Sequence, residues 1–349
     1  MTRVLQAEDQ ILPVICIAED RPSVEPAVRI LIASLEKILP AARVILFMPR
    51  ASECLQDWIQ NIPNVSVELT PIAGSYSKYN VKPHALLTLL DRGYDDVVWI
   101  DSDIVVGSCL SALFAKSDSG TLMITEEMLG EFHDDGSAER ASAWGFDIGR
   151  SFPFALNSAV LRVGAVHRDI LVRWRELLGS PDYLEAQAKP WHRRPRHLLG
   201  DQDVLTALLS SREFSHLPVQ LLRRGRDILQ FSGPYGYTLA ERAVHLRHGM
   251  PVFIHSLGHK PWDQNNVPAN AYGRFSDLYL GCSPYTLAAR EFSHVLEQRD
   301  WLEPRNGGER FLRSLSFGVI PLSGLPFAAI ADARRLVRLV GEKMRRRAK

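Results

Sequence analysis

No segment of this 349-residue chain is long and apolar enough to span a bilayer. The opening residues place Glu8 and Asp9 where a secretory leader would carry its apolar stretch, so no signal peptide is expected. Cysteine is scarce. Cys16, Cys54, Cys109 and Cys282 are scattered, without the paired spacing of zinc or redox motifs, which fits reduced thiols in a cytoplasm. Internal repeats and low-complexity tracts are missing. No glycine-rich phosphate loop follows the first apolar run, which argues against a nucleotidyltransferase. Net charge is only +1.

What is present is a globular composition, 46% hydrophobic and 23% charged, with enough chain to bury a large core in one or two domains. The near-zero charge conceals an asymmetry. Residues 334–349 carry eight basic side chains against Glu342 alone, so the rest of the chain is acidic. An acidic body with few interleaved aromatics argues against a nucleic-acid partner. From Phe327, apolar residues recur at Ile330, Ala333, Val337, Val340 and Met344 with arginines around them. Such a basic amphipathic helix suits the surface of an anionic membrane. The alternative is a last helix docked on the body with a solvated basic end. Exposed apolar material at 317–322 adds to the membrane reading.

Hydrophobic periodicity predicts strands over 11–18, 44–48, 65–69, 97–106, 122–125, 158–163 and 251–255. Helical spacing covers 23–39, 55–59, 82–90, 167–178 and 201–209, with Gly93 as a left-handed stop and Asp201 able to cap. The stretch 131–150 reads as a long loop, and 181–197 as a polar, proline-punctuated segment. This alternation predicts an α/β protein with a Rossmann-like, mostly parallel sheet flanked by helices. The expected organisation is a catalytic domain over 11–278, in halves 11–106 and 107–278, then a helical extension over 279–349.

The most informative segment is Val97-Val98-Trp99-Ile100-Asp101-Ser102-Asp103-Ile104-Val105-Val106. Two carboxylates interrupt an apolar run of the kind that forms buried parallel strands, where such a sheet opens onto its ligand crevice. Carboxylates there are too costly to bury unpaired, and a divalent cation such as Mn2+ or Mg2+ is their natural partner. A solvated Asp-Ser-Asp turn is the ordinary alternative. The segment Ile254-His255-Ser256-Leu257-Gly258-His259-Lys260-Pro261-Trp262 shifts the balance. His255 offers a neutral ring nitrogen to a metal, Gly258 admits close backbone approach, and Lys260 brings a positive charge to a diphosphate. Pro261 and Trp262 would stiffen and wall the site. The basic run from Lys189 to His197 could meet an anionic acceptor, although charged, proline-rich segments are usually solvated.

With these residues in view, the chain resembles the retaining GT-A glycosyltransferases of the family 8 type. Four motifs appear in the family's order: Asp101-Ser102-Asp103, Asn157-Ser158-Ala159-Val160-Leu161, Asp201-Gln202-Asp203, and His255 through Trp262 as H-x-x-G-x-x-K-P-W. The likeness covers roughly residues 11 to 262. It implies that Asp101, Asp103 and His255 hold the cation and that Gly258 and Lys260 contact the donor's diphosphate. It also implies that Asn157, Asp201 and Gln202 line the sugar pocket as catalytic residues. Lys82 resembles a donor-contacting cation, and Ala18-Glu19-Asp20, with Ser102, falls where the family meets its nucleotide. The chain departs from the family in two places. Arg21-Pro22-Ser23 replaces a base-stacking aromatic, which bears on the UDP-sugar assignment, and Ala159 stands at a usual glycine. The implied activity is metal-dependent transfer from a nucleotide-sugar donor to a saccharide or glycolipid acceptor, such as a lipopolysaccharide precursor. The scattered cysteines point to a cytoplasmic location, and the basic tail to a peripheral place at the inner membrane face.

Two other readings stay open. A haloacid-dehalogenase-like phosphatase would use Asp101 as nucleophile and Asp103 as acid/base. A non-catalytic scaffold would bind a nucleotide sugar without turning it over.

Overall fold

The computed structural model describes residues 12–72, 74, 80–127, 136–263 and 271–347. Ile11 of the expected first strand, 131–135 of the expected loop, 264–270 of the expected catalytic domain and the last two residues lie outside the described residues.

Ten strands are present among them: β1 (Val14–Ala18), β2 (Val44–Phe47), β3 (Val65–Glu68), β4 (Asp96–Ile100), β5 (Ile104–Val106), β6 (Leu122–Glu126), β7 (Leu156–Gly164), β8 (Val219–Leu222), β9 (Ile228–Ser232) and β10 (Phe253–Leu257). Seven form one sheet in the order β3-β2-β1-β4-β7-β6-β8. The pairs β2/β3, β1/β2, β1/β4 and β6/β8 are parallel, while β7 runs antiparallel to both neighbours. The expected mainly parallel, helix-flanked sheet is what the chain forms.

The apolar run at 97–106 is not one strand. Asp101-Ser102-Asp103 is a turn at which the chain leaves the large sheet and enters a second one, β5-β10-β9. The two acids account for the break, because a continuous buried strand would have placed both in apolar surroundings. The helix Glu25–Ile38 ties the two sheets together. Val28, Leu31, Ile32 and Leu35 pack with Ile15 and Ile17 of β1, while Ile30 and Ala33 pack with Val105 and Ile254 of the second sheet. A helix that is apolar on both faces belongs between two layers. Each such aliphatic side chain contributes roughly 1.5–3 kcal/mol by leaving water. Ser34 adds a polar tie, its Oγ accepting the Val106 N–H at 3.1 Å.

Other expectations need adjustment. The stretch 131–150 contains a helix, Ser137–Ala143, and 181–197 contains the helix Pro181–Gln187. The latter starts as sequence rules require, with Ser180 Oγ accepting the Tyr183 N–H. Asp201 does not cap its helix, Asp201–Ser210. Gly200 holds the N-cap position, and Asp203 accepts the Gly200 N–H at 3.0 Å. Asp201 turns instead toward a buried lysine. The boundary at 278/279 falls inside the helix Ala271–Gly281, and Tyr279, Tyr285 and Phe327 share a core with Leu229, Phe231 and Ile254.

The last helix, Leu325–Arg347, docks through Phe327, Ala328 and Ala331, and Arg334 lies over the Phe275 ring. Leu336, Val337 and Val340 are exposed. No helix of the described residues is long and apolar enough to cross a membrane.

Candidate active site

Strand register assembles the site. His255 of β10 pairs with Ile104 of β5 in an antiparallel ladder, and the Ser256 N–H reaches the Asp103 carbonyl at 3.3 Å. The imidazole is thereby brought beside the aspartate turn, although more than 150 residues separate them in sequence. Asp101, Asp103 and His255 each offer a ligand atom, all within 4.8 Å of one another. His255 Nε2 lies 3.1 Å from Asp103 Oδ1. That contact is not aligned as a hydrogen bond, and Asp103 Oδ1 is buried without a hydrogen-bond partner among the described residues. A buried, unsatisfied carboxylate oxygen facing a ring nitrogen fits a divalent cation.

Two lysines neutralise the acids from opposite sides. Lys260 donates to Asp103 Oδ2 and, at 2.6 Å, to the Ser256 carbonyl. Lys82 is buried, with Nζ 3.0 Å from Asp101 Oδ1, 3.4 Å from Asp201 Oδ2 and 2.8 Å from Ser158 Oγ. Burial pushes the Asp103 carboxyl up, but Lys260 and His255 outweigh it and hold it well below the usual carboxylate range. At Asp101 burial wins over Lys82, and the carboxyl sits above its ordinary value. Burial also disfavours the Lys82 ammonium, yet Asp101 and Asp201 raise it on balance. The Trp99 indole N–H completes the Asp101 environment at 2.7 Å.

A cavity of about 660 Å³ opens over these groups. Every site residue expected from the sequence lines it: Ala18, Glu19, Asp20, Lys82, Asp101, Ser102, Asp103, Asn157, Asp201, Gln202, His255, Gly258 and Lys260. At one end Glu19 is braced rather than free. Arg21 clamps both of its oxygens at 2.7 Å, and Ser102 Oγ donates to Oε2 at 2.9 Å. Asp20 is exposed beside it. Gly258 takes φ +72°, a left-handed conformation that suits glycine, and a Cβ there would meet Ser232 Oγ at 3.1 Å. At the other end, Asn157 and Gln202 meet Glu127, which the sequence reading did not single out.

Trp262 does not wall the cavity. It packs against Tyr285 and Trp301, with ring centroids 5.4 and 6.0 Å away, and so anchors the Lys260 turn to the C-terminal helices. The basic run at 189–197 is more ordered than a solvated loop. Arg194 bonds the Lys189 and Leu199 carbonyls and lies over the Trp191 ring, and Trp191 lines the cavity.

No protein-family model matches the sequence, and no curated protein matches it. Among solved structures, the apo form of WbbM, a bifunctional glycosyltransferase, aligns over 84% of this chain with a TM-score of 0.52 and 16% identity. The chain has a GT-A glycosyltransferase fold. It spans about half, 53%, of the WbbM chain. The galactosyltransferase LgtC, in complex with donor and acceptor sugar analogues, gives a TM-score of 0.47 at 18% identity, covering 83% of this chain and 99% of that one. Mouse xyloside xylosyltransferase 1 gives 0.44 at 17%, covering 70% and 96%. In this GT-A fold the candidate metal ligands sit at the junction of the two sheets and the amide and carboxylate groups at the start of the helix Asp201–Ser210.

Proposed function

We propose that the chain is a metal-dependent glycosyltransferase that moves a sugar from a nucleotide-diphosphate donor to a glycan or lipid-linked saccharide. The carrying observation is the convergence of Asp101, Asp103 and His255, with Lys260, in one cavity of a GT-A fold. A divalent ion held by those three side chains supplies charge neutralisation to a diphosphate leaving group. Lys260 adds a second positive charge in the same low-dielectric cleft, where it acts most strongly as leaving-group charge develops. Gly258 lets the backbone approach that group closely. Gln202 supplies an oxygen dipole and Asp201 a carboxylate to a sugar ring that becomes oxocarbenium-like, while Asn157 lines the same pocket. The resemblance to family 8 enzymes supports UDP-sugar as donor and retention as outcome. The phosphatase reading leaves His255 and Lys260 without a role.

The test is a screen of nucleotide sugars for Mn2+-dependent release of nucleoside diphosphate. The expected result is turnover of at least one donor, abolished by chelator and by Asp103→Ala. Turnover untouched by both, or phosphate release from simple phosphomonoesters instead, would overturn the proposal.

The acceptor side of the proposal is a lipid-anchored saccharide reached from a cytoplasmic, membrane-peripheral position. Phe317 supports it. The side chain is 83% exposed, on a residue that carries the positive φ of +49° otherwise confined to glycine among the described residues. The last helix adds exposed Leu336, Val337 and Val340 in an arginine-rich setting. It also touches the helix Leu239–His248, whose Val244 and Leu246 are half exposed. Apolar side chains with basic neighbours match an anionic interface.

A further inference from the structure

Glu127 follows β6 directly, is 5% exposed and lines the cavity, yet none of the recognised motifs contains it. The register against β7 shifts just before it, between Ile124 and Thr125, where β7 carries the extra residues 158–160 that lead to Asn157. Such bulges re-aim side chains next to active sites. Oε2 of Glu127 accepts two hydrogen bonds, from Asn157 Nδ2 at 2.7 Å and from Gln202 Nε2 at 2.6 Å. An ionised carboxylate can only accept, so both carboxamides must turn their nitrogens toward it. For Asn157 the other end is also fixed, because Oδ1 accepts the Ala159 N–H at 2.8 Å. For Gln202 the consequence differs. With its nitrogen held by Glu127, its carbonyl oxygen is the end of the amide turned away from that carboxylate, on a residue that lines the cavity.

We propose that Glu127 is a positioning residue that fixes the Gln202 carboxamide so that its oxygen, not its nitrogen, faces the sugar. The inference rests on the glycosyltransferase reading above. An amide turned the other way would present N–H dipoles to a centre gaining positive charge and would oppose the reaction. Glutamine at 127 could donate as well as accept, so the rule that sets the orientation would be lost while the shape is kept.

The experiment is a double-mutant cycle of Glu127→Gln and Gln202→Ala, assayed as Mn2+-dependent hydrolysis of UDP-glucose, UDP-galactose and UDP-N-acetylglucosamine. The expected result is a fall in kcat of about tenfold or more for Glu127→Gln, with donor KM within about threefold of wild type. In the Gln202→Ala background the same substitution should change kcat by less than about twofold. An undiminished effect there means that Glu127 acts on substrate directly, and a pure KM effect means that it binds donor; either overturns the proposal. A second arm needs no substrate. The side-chain amide protons of Gln202, assigned by their loss in Gln202→Ala, should exchange with solvent faster in Glu127→Gln than in wild type. Equal exchange overturns the orientation argument. Wild-type inactivity on every donor, with the exchange difference intact, would instead count against the glycosyltransferase reading.

Discussion

Replacing Lys82 by methionine keeps the side chain's length and removes its charge, which isolates what that charge does. The ammonium lies 3.0 Å from Asp101 and 3.4 Å from Asp201. At an effective dielectric near 20, each attraction is worth about 5 kcal/mol before desolvation. The lysine side chain is 11% exposed, so burying it offsets much of that gain. Removing one partner of a buried pair nonetheless costs about 3–5 kcal/mol, because the uncompensated carboxylates stay behind. Asp201, 8% exposed, cannot recover by hydration. Lys82→Met should therefore lower unfolding free energy by about 3–5 kcal/mol at pH 7 in urea titrations. The sign with pH follows from linkage. Without the lysine the Asp101 carboxyl, already raised by burial, rises further, the folded protein binds more protons than the unfolded, and the variant's stability falls as pH rises. The deficit against wild type should accordingly shrink toward pH 5. Mn2+ should restore more stability to the variant than it adds to wild type, since an ion held by Asp101, Asp103 and His255 answers the charge left on Asp101. At a hundredfold excess over Kd, ligand binding contributes about 2.7 kcal/mol. A loss under about 1 kcal/mol with no pH trend would refute the claim that Lys82 is the site's structural counter-charge.

Four further outcomes follow from the same coordinates. Burial, working against Arg140, pushes Asp203 up from 3.8 to about 6, so this group makes the fold less stable as pH rises from about 4 to 6. The change is about 3 kcal/mol, and Asp203→Asn should flatten that limb of a pH–stability curve. Gly258→Ala should cost about 1–2 kcal/mol in thermal or urea unfolding, because φ is +72° there, and should raise donor KM. His255→Ala should weaken Mn2+ binding by calorimetry and lower the melting temperature as well, since the ring is buried and Asp103 loses a neighbour 3.1 Å away. Deleting residues 334–349 should abolish cosedimentation with phosphatidylglycerol vesicles, with no change in melting temperature, because Arg334 to Arg338 are exposed.

The sequence made the site legible because its chemistry is concentrated in short motifs. Carboxylates at the end of an apolar run and a histidine ending another are costly to bury unpaired, and the strand register brings the three together. The halves of the fold rich in parallel strands were readable for a similar reason, since Val14–Ala18 and Val97–Ile100 are apolar throughout. The second sheet was harder to see. Ile228–Ser232 mixes Gln230 and Ser232 with apolar residues, and Ile104–Val106 looks like a continuation of β4 until its pairing with β10 is known. Glu127 escaped because it stands alone after β6, with no spacing relation to Asn157 or Gln202; only the fold puts three distant polar groups together. Asp201 misled in the opposite direction. Its position suggested a helix cap, but Gly200 takes the N-cap place and Asp201 faces Lys82.

The division of the cavity follows from where charge is already matched. Asp101 and Asp201 share Lys82, Glu19 is closed by Arg21 and Ser102, and Asp203 is closed by Arg140. Asp103 differs, with Lys260 on one oxygen and its other oxygen buried without a hydrogen bond among the described residues. Incoming positive charge is favoured between Asp101, whose carboxyl burial holds above its ordinary value, and the Asp103 oxygen that lacks a hydrogen bond, and an anionic diphosphate would draw Lys260 toward itself. Cation and diphosphate should for that reason bind with positive coupling, each releasing Asp103 or Lys260 for the other's contacts. Calorimetric titration of UDP with and without Mn2+ measures that coupling directly, and additive affinities would show that Lys260 does not move between the two partners.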